Sequence, residues 1–358
     1  MKSRISVATD VAKLAGVSQS AVSRAFTDGA SIAESTRKKV LEAAGVLGYR
    51  PNYTARALST RRSRIVGVIM GYLDNGFYPA VLEALSAELH AIDYRILLFT
   101  TDIASEVDPS VEEVLQYNVD MLVMASTILT SSLAEECRKA GTPVIMFNRT
   151  TGESGTWSVT GENLDGGREI ADFLVAAGHD HFAFIAGIEN SSTSRDREAG
   201  YSQRLLQHGK GKPVREVGNY TFEGATEAAR ALFKRRSRPD AIFCANDHMA
   251  LAAIEVARSE FGLEVGRDVS IIGFDDIAMA AWPSHSLTTY SQPIKLMVQR
   301  LTSIVQSLLR DPNYPPTATI VPGRLVVRGS ARVPPMGILQ DEAGLYWRSS
   351  SMLEASPE

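Results

Sequence analysis

The chain has 358 residues, 44% of them apolar, and a net charge of -4, enough for a large core divided over two or three domains. No run of about 18 apolar residues occurs, and the opening MKSRISVATD carries positive charge with no apolar stretch behind it, so the expectation is a cytoplasmic protein without a membrane partner. Cys137 and Cys244 stand alone, outside any metal-type spacing, so neither a disulfide framework nor a metal or other cofactor is expected.

Charge is unevenly placed. Up to Arg64 there are twelve Lys or Arg against four Asp or Glu, while the remainder holds 25 against 37. A basic head on an acidic body is the footprint of a polyanion partner. Within that head, DVAKLAGVSQSAVSRAF (10–26) reads as two short helices hinged at Gly16. Val11, Leu14 and Ala15 form the inner stripe of the first. Ser18 is a natural N-cap for the second, which turns Ala21, Val22, Ala25 and Phe26 inward and presents Gln19, Ser20, Ser23 and Arg24 outward. Gln can bond adenine and Arg guanine bidentately, and Ser serves bases or phosphates, so that stripe suits the major groove of a duplex. A third helix follows, with capping-box spacing at Ser31 and Glu34 and a buried face of Val40, Leu41, Ala44 and Leu47. Taken alone, the same pattern also fits an amphipathic hairpin with a solvated polar face.

In GYRPNYTARALSTRRS, Pro51 ends one element and Asn52 can cap a short helix through Ala55, Arg56 and Leu58. Helices below about 12 to 15 residues are marginal in water, so this one should order only against a partner. A minor groove spread by Leu58 as an apolar wedge, with Arg56 beside it, is a candidate.

These two blocks, DVAKLAGVSQSAVSRAF and TRKKVLEAAGVLGYRPNYTARAL, make the chain resemble the lactose-repressor and galactose-repressor (LacI/GalR) family of bacterial transcription regulators, to about Pro335. The resemblance implies that Gln19, Ser20 and Arg24 read base edges, with Ser23 on the same stripe, and that Leu58 is a lever wedged into a near-palindromic operator, on a hinge helix that also brings Asn52, Ala55 and Arg56 to the DNA. Val7 and Thr27 depart from the Thr and Asn usual in the family, which puts local phosphate contacts in doubt.

After Arg62 the texture becomes alternating strand and helix. IVGVIM, RILLFT, MLVMAS and VIMF form one series of apolar runs, and FAFIAG, AIFCAN and SIIGF a second, with helical patterns between them. The fold class expected is therefore an all-α helix-turn-helix domain followed by an α/β sensor of two doubly wound parallel lobes. The resemblance adds a periplasmic-binding-protein-like body in which the chain crosses between lobes three times, with residues 293–322 rejoining the first lobe. The boundaries read are 1–51 for the DNA-binding domain, 52–64 for hinge helix and linker, 65–335 for the effector-binding and dimerisation domain, and 336–358 for a tail that is either a disordered end or a small docking segment.

Ligands of open α/β sheets sit beyond the carboxyl ends of the strands. The loops there offer DNGFYP, ENSSTSRDREAGY, Asn246, Asp247, Asp275 and Asp276, and NYTFEG and AAWPSH add aromatics. An Arg fork and a carboxylate can each bond neighbouring hydroxyls, and flat rings cover the apolar face of a sugar-like ring, so a polyhydroxylated or acidic small molecule is expected. By the resemblance, Arg197 in RxxGY and Asp275 in GFDD are the principal effector-binding pair, Phe77, Tyr78, Phe222 and Asn246 are pocket wall, and Asn148, Arg149 and Trp282 are further members. Glu162 replaces an Asp common in the family beside Asn163.

No catalytic constellation is evident. GKGKP lacks phosphate-loop order, His179 and His181 in GHDH lack a third ligand, and the adjacent Asp275 and Asp276 would point apart at a strand end. The expectation is a repressor, not an enzyme, acting as a homodimer on an operator under control of a sugar-like effector. The alternatives are a periplasmic-type solute-binding protein without DNA function and, third, a lobe-closing enzyme.

Overall fold

A computed structural model of the chain describes residues 6–26, 29–50, 62–100, 111–125, 131–150 and 156–349. The chain divides into two compact units, Met1–Ser63 and Arg64–Glu358.

The first unit contains α1 (Ala8–Ala15), α2 (Gln19–Ala25) and α3 (Glu34–Leu47). Asp10 accepts the N–H of Val7 at 3.1 Å to close the start of α1, and Gly16 ends that helix at a φ of 65°. Ser18 accepts the N–H of Ala21 at 3.2 Å, the N-cap expected of it. The start of α3 differs from expectation, because Ala33 occupies its N-cap and makes no side-chain bond, so Ser31 and Glu34 form no capping box.

A small core of Val11, Ala12, Val22, Ala25, Val40, Ala43 and Ala44 holds the three helices together. Leu14 and Leu41, both expected inside, are 54% and 46% exposed. At about 100° per residue, Ala8, Val11, Ala12 and Ala15 span one arc, and Leu14 falls about 60° outside it. Leu41 is displaced in the same way from the arc of Val40, Ala43, Ala44 and Leu47.

The second unit has two lobes. The first is a parallel sheet ordered β11-β5-β4-β3-β1-β2, made of β1 (Ile65–Met70), β2 (Arg95–Thr100), β3 (Met121–Ala125), β4 (Val144–Phe147), β5 (Trp157–Gly161) and β11 (Ala318–Val321). Around it lie α4 (Phe77–Ala91), α5 (Val111–Gln116), α6 (Ser131–Lys139) and α11 (Ile294–Arg310). Strand β3 is buried along its length, as a central parallel strand covered on both faces must be.

The second lobe is a sheet ordered β13-β14-β12-β10-β9-β8-β6-β7. Its parallel part is β6 (Phe182–Ala186), β7 (Val214–Val217), β8 (Ala241–Cys244), β9 (Ser270–Asp275) and β10 (Thr288–Ser291), and β12 (Arg324–Val326) joins antiparallel. Its helices are α7 (Asn163–Ala176), α8 (Ser192–Gln207), α9 (Phe222–Phe233) and α10 (Asp247–Ser259).

The chain passes between the lobes after β5, after β10 and again between β11 and β12. The segment from 294 to 321 thus belongs to the first lobe, as the resemblance implied. The crossings touch one another: Tyr290 donates its hydroxyl to Glu162 at 3.2 Å, and a Cβ on Gly323 would lie 2.1 Å from the Ser291 carbonyl oxygen.

The segment from residue 336, left open by the sequence, is folded as far as Ser349. Strands β13 (Ile338–Asp341) and β14 (Gly344–Trp347) form a hairpin that pairs through β14 with β12. Trp347 is buried edge-on against Phe173 of α7, with centroids 5.6 Å apart, and donates its Nε1–H to the Met336 carbonyl at 2.9 Å. Arg324 of β12 pairs with Asp341 and lies over the Tyr346 ring.

Candidate functional site

In the first unit, Gln19, Ser20, Ser23 and Arg24 are all exposed on α2. They stand one helical turn apart in two rows, Gln19 with Ser23 and Ser20 with Arg24, while Val22 and Ala25 hold the opposite face in the core. Arg24 donates to the Ser20 carbonyl at 3.4 Å, which lays its guanidinium along the outer face. Arg37 of α3 donates to the Ala25 carbonyl at 2.8 Å, placing a cation at the C-terminal end of α2 where the helix dipole favours one. Asn52, Ala55, Arg56 and Leu58 lie outside the described residues.

In the second unit a cavity of about 250 Å³ opens between the lobes, beyond the carboxyl ends of the strands. The first lobe lines it with Tyr72 and Asn75 after β1, Tyr78 from the first turn of α4, and Asn148 and Arg149 after β4. The second lobe supplies Thr193 and Arg197 of α8, Tyr220 after β7, Asn246 after β8, and Asp275 at the end of β9. Tyr72, Asn148, Tyr220 and Asp275 have φ values of 56°, 58°, 61° and 120°. Backbone in that region is costly for residues with a side chain, and it concentrates where a site must be shaped.

Arg197 is the most constrained member. Its Nε donates to Asn163 Oδ1 at 2.8 Å and one terminal nitrogen to the Ala245 carbonyl at 2.5 Å. The other terminal nitrogen stands 3.4 Å from Asp275 Oδ1, and the guanidinium lies 3.6 Å from the Phe274 ring centroid. Asp275 also accepts from Gln292 Nε2 at 2.7 Å. Its burial pushes the carboxyl up to about 6, even though Arg197 and Gln292 work in the opposite direction.

Around this pair several polar atoms are buried and unsatisfied by protein. Asn246 accepts the Met249 N–H as the N-cap of α10, leaving its Nδ2 without a partner. Asn148 donates to Tyr78 at 3.3 Å and leaves its Oδ1 without one. Buried amide groups in that condition are costly unless a ligand or water meets them. Tyr72 and Tyr220 meet edge to face at 6.1 Å across the lobe boundary, and the Thr193 hydroxyl and Tyr220 hydroxyl stand 2.9 Å apart. The wall therefore offers donors, acceptors, a carboxylate, guanidinium groups and aromatic faces together, the chemistry for a small hydroxylated ring.

Of the residues expected here, Tyr78, Asn148, Arg149, Arg197, Asn246 and Asp275 come together at the cavity. Phe77, Phe222 and Trp282 are not among its lining. Phe77, first residue of α4, is wholly buried in the first core. Phe222 follows the N-cap Thr221 and points outward against His248, so it is Tyr220, ahead of the cap, that turns in. Trp282 is 52% exposed and stacks on His285. Tyr72, Asn75, Thr193 and Tyr220 were not singled out by the sequence reading. Asn75, Thr193 and Tyr220 lie in the very loops it marked, and their backbone angles or cap positions were the information lacking.

His179 is buried in packing, bonded to Ser270 at 2.8 Å and paired with Asp240 at 3.1 Å. Asp276 points away from Asp275 and bonds Arg328 at 2.7 Å.

Comparison with known proteins covers both units. Residues 8–52 match the lacI family of bacterial regulatory proteins, and residues 171–331 match the periplasmic binding protein-like domain. Catabolite control protein A of Priestia megaterium is 32% identical over 291 residues, 80% of this chain and 87% of that protein. Among solved structures, a lac repressor dimer bound to operator and an anti-inducer superposes with a TM-score of 0.80 at 25% identity, covering 91% of this chain and 99% of that one. The regulator CelR in complex with cellobiose gives 0.69 at 26% identity, covering 91% and 100%.

Proposed function

Because this chain belongs to the LacI family of DNA-binding transcriptional regulators, we propose that it is a homodimeric, cytoplasmic repressor whose interlobe cavity binds a sugar-like effector without turning it over. The observation that carries this reading is the pairing, in one chain, of an exposed Gln19/Ser20/Ser23/Arg24 face with a cavity holding unsatisfied amides beside Arg197 and Asp275.

Two copies are needed because one short recognition helix reads one half-site, and two-fold symmetry matches a palindrome. The relative solved as a dimer on operator supports the same arrangement here. Effector bound between Arg197 and Asp275 changes lobe closure, and with it the spacing of the paired hinge segments that carry Asn52, Ala55, Arg56 and Leu58. Coupling of this kind comes from unequal affinity for two states.

The test is a genomic-fragment selection with the purified chain at moderate salt, repeated with and without candidate sugars. One class of fragment should be enriched and its occupancy should respond to a sugar. Leu58→Ala should weaken operator binding and leave effector affinity unchanged. Absence of any preferred fragment would overturn the reading.

A further inference from the structure

Resting on the effector reading above, we infer that the ligand is a monosaccharide acid, a polyhydroxylated molecule of single-ring size whose carboxylate is received by Arg149 while Arg197 and Asp275 hold its hydroxyls.

Charge is the first argument. Among the described residues the cavity is lined by two guanidinium groups, Arg149 and Arg197, and by one carboxylate, Asp275. That carboxylate is already shared by Arg197 and Gln292. The nearest other acids do not enter the lining: Asp247 accepts from Thr289 at 2.5 Å and from the Ile277 N–H at 2.9 Å, and Asp74 is a mostly exposed rim residue facing His248 at 3.7 Å. A neutral polyol would leave the excess positive charge of the lining in place; a monoanion balances it.

Helix geometry adds to the same sign. The N-terminal ends of α4, α8 and α10 supply Tyr78, Thr193 and Asn246 to the wall, so three positive dipole ends meet at the cavity. The unpartnered Asn246 Nδ2 and Asn148 Oδ1, on residues 1% and 4% exposed, are the independent sign that a polar ligand belongs there.

Position separates the two arginines. Arg197 is fixed by Asn163, Ala245, Asp275 and Phe274, and has little room to reorient. Arg149 is 6% exposed, follows Asn148 with its positive φ, and lies 5.9 Å from the centroid of Tyr220. Its guanidinium is thereby held beside aromatic faces at the first-lobe wall, facing the second lobe, where a carboxylate can meet its planar fork. Size sets the remaining limit. At about 250 Å³ the cavity is smaller than the roughly 300–1,000 Å³ of sites for drug-sized ligands, which suits one ring and not two.

The experiment is calorimetric titration of the full chain at pH 7.5 with D-glucuronate, D-galacturonate and D-gluconate, set against D-glucose, D-galactose, D-glucuronamide and glucose 6-phosphate. We expect at least one acid to bind about tenfold or more tightly than its neutral counterpart and the phosphate ester. Arg149→Gln should remove that preference and Arg149→Lys should retain part of it, circular dichroism checking that each variant is folded. The lysine variant keeps the question decidable if the glutamine variant does not fold. Equal or tighter binding of a neutral sugar or of the phosphate ester would overturn the acid assignment and leave the effector reading standing. Silence from every compound would overturn both, and an acid preference that survives in Arg149→Gln would remove Arg149 from the role.

Discussion

Arg197 of α8 and Asp275 at the tip of β9 face each other at 3.4 Å, and the remaining hydrogen-bonding capacity of each is largely held by neighbouring protein groups. Such a loose pair, buried and pre-oriented, can admit a ligand hydroxyl between its members without first breaking a short bond. Arg197→Ala should therefore lower effector affinity by roughly 10- to 100-fold, as removal of a charged hydrogen-bond partner does. Operator affinity in the absence of effector should stay within about threefold of the parent, since Arg197 is outside the DNA-binding unit. Parallel titrations of sugar and of operator DNA check both statements, and an unchanged sugar titration would remove Arg197 from the site.

The elevated Asp275 carboxyl gives effector binding a pH signature. With its folded value near 6, the group is ionised at pH 7.5 and accepts hydroxyl donors from the ligand. Affinity should be level above about pH 7 and fall below 6, approaching a tenfold loss per pH unit if only the ionised form binds. Without ligand the sign for stability is opposite, because a carboxyl raised above its unfolded value contributes most below that unfolded value, and the contribution is lost as pH rises through 6. Titrations between pH 5 and 8 with the parent and Asp275→Asn distinguish this, the variant binding weakly and with a flatter profile.

Gly200, the glycine of RxxGY, is needed for helix contact. A Cβ there would sit 1.9 Å from the Leu164 carbonyl oxygen, so α7 and α8 approach backbone to backbone. Gly200→Ala must push the helices apart and carry Arg197, one turn earlier on α8, with it. Overpacking of this kind costs about 1–3 kcal/mol or more. Thermal unfolding should show a drop of several degrees, and effector affinity should fall in the same variant.

The C-terminal hairpin makes a further stability prediction. Trp347 is buried against Phe173 and its indole N–H is bonded, so Trp347→Ala removes both packing and a hydrogen bond. A loss of about 3–5 kcal/mol is expected for truncating a buried Trp. Denaturant unfolding monitored by circular dichroism checks it; an unchanged midpoint would mean that the hairpin adds nothing to the second lobe.

Much of this was legible along the chain because it depends on local periodicity and cap chemistry. The Gly16 turn, the Ser18 cap, the outward Gln19/Arg24 stripe and the alternating strands and helices are written in neighbouring residues. So were Arg197, Asn246 and Asp275, since a strand's carboxyl end is where this architecture gathers ligand contacts. What the line of residues could not decide was direction. Whether Tyr220 or Phe222 turns inward depends on a left-handed backbone angle one step before a helix cap, and Leu14 is exposed because its neighbours define a different arc. The fate of the last segment was also beyond local reading, because β13 and β14 carry an ordinary mix of residues whose pairing is satisfied only by the open edge of β12, contributed from another part of the chain. Local chemistry chose the elements; burial against distant backbone chose which of their side chains face the cavity.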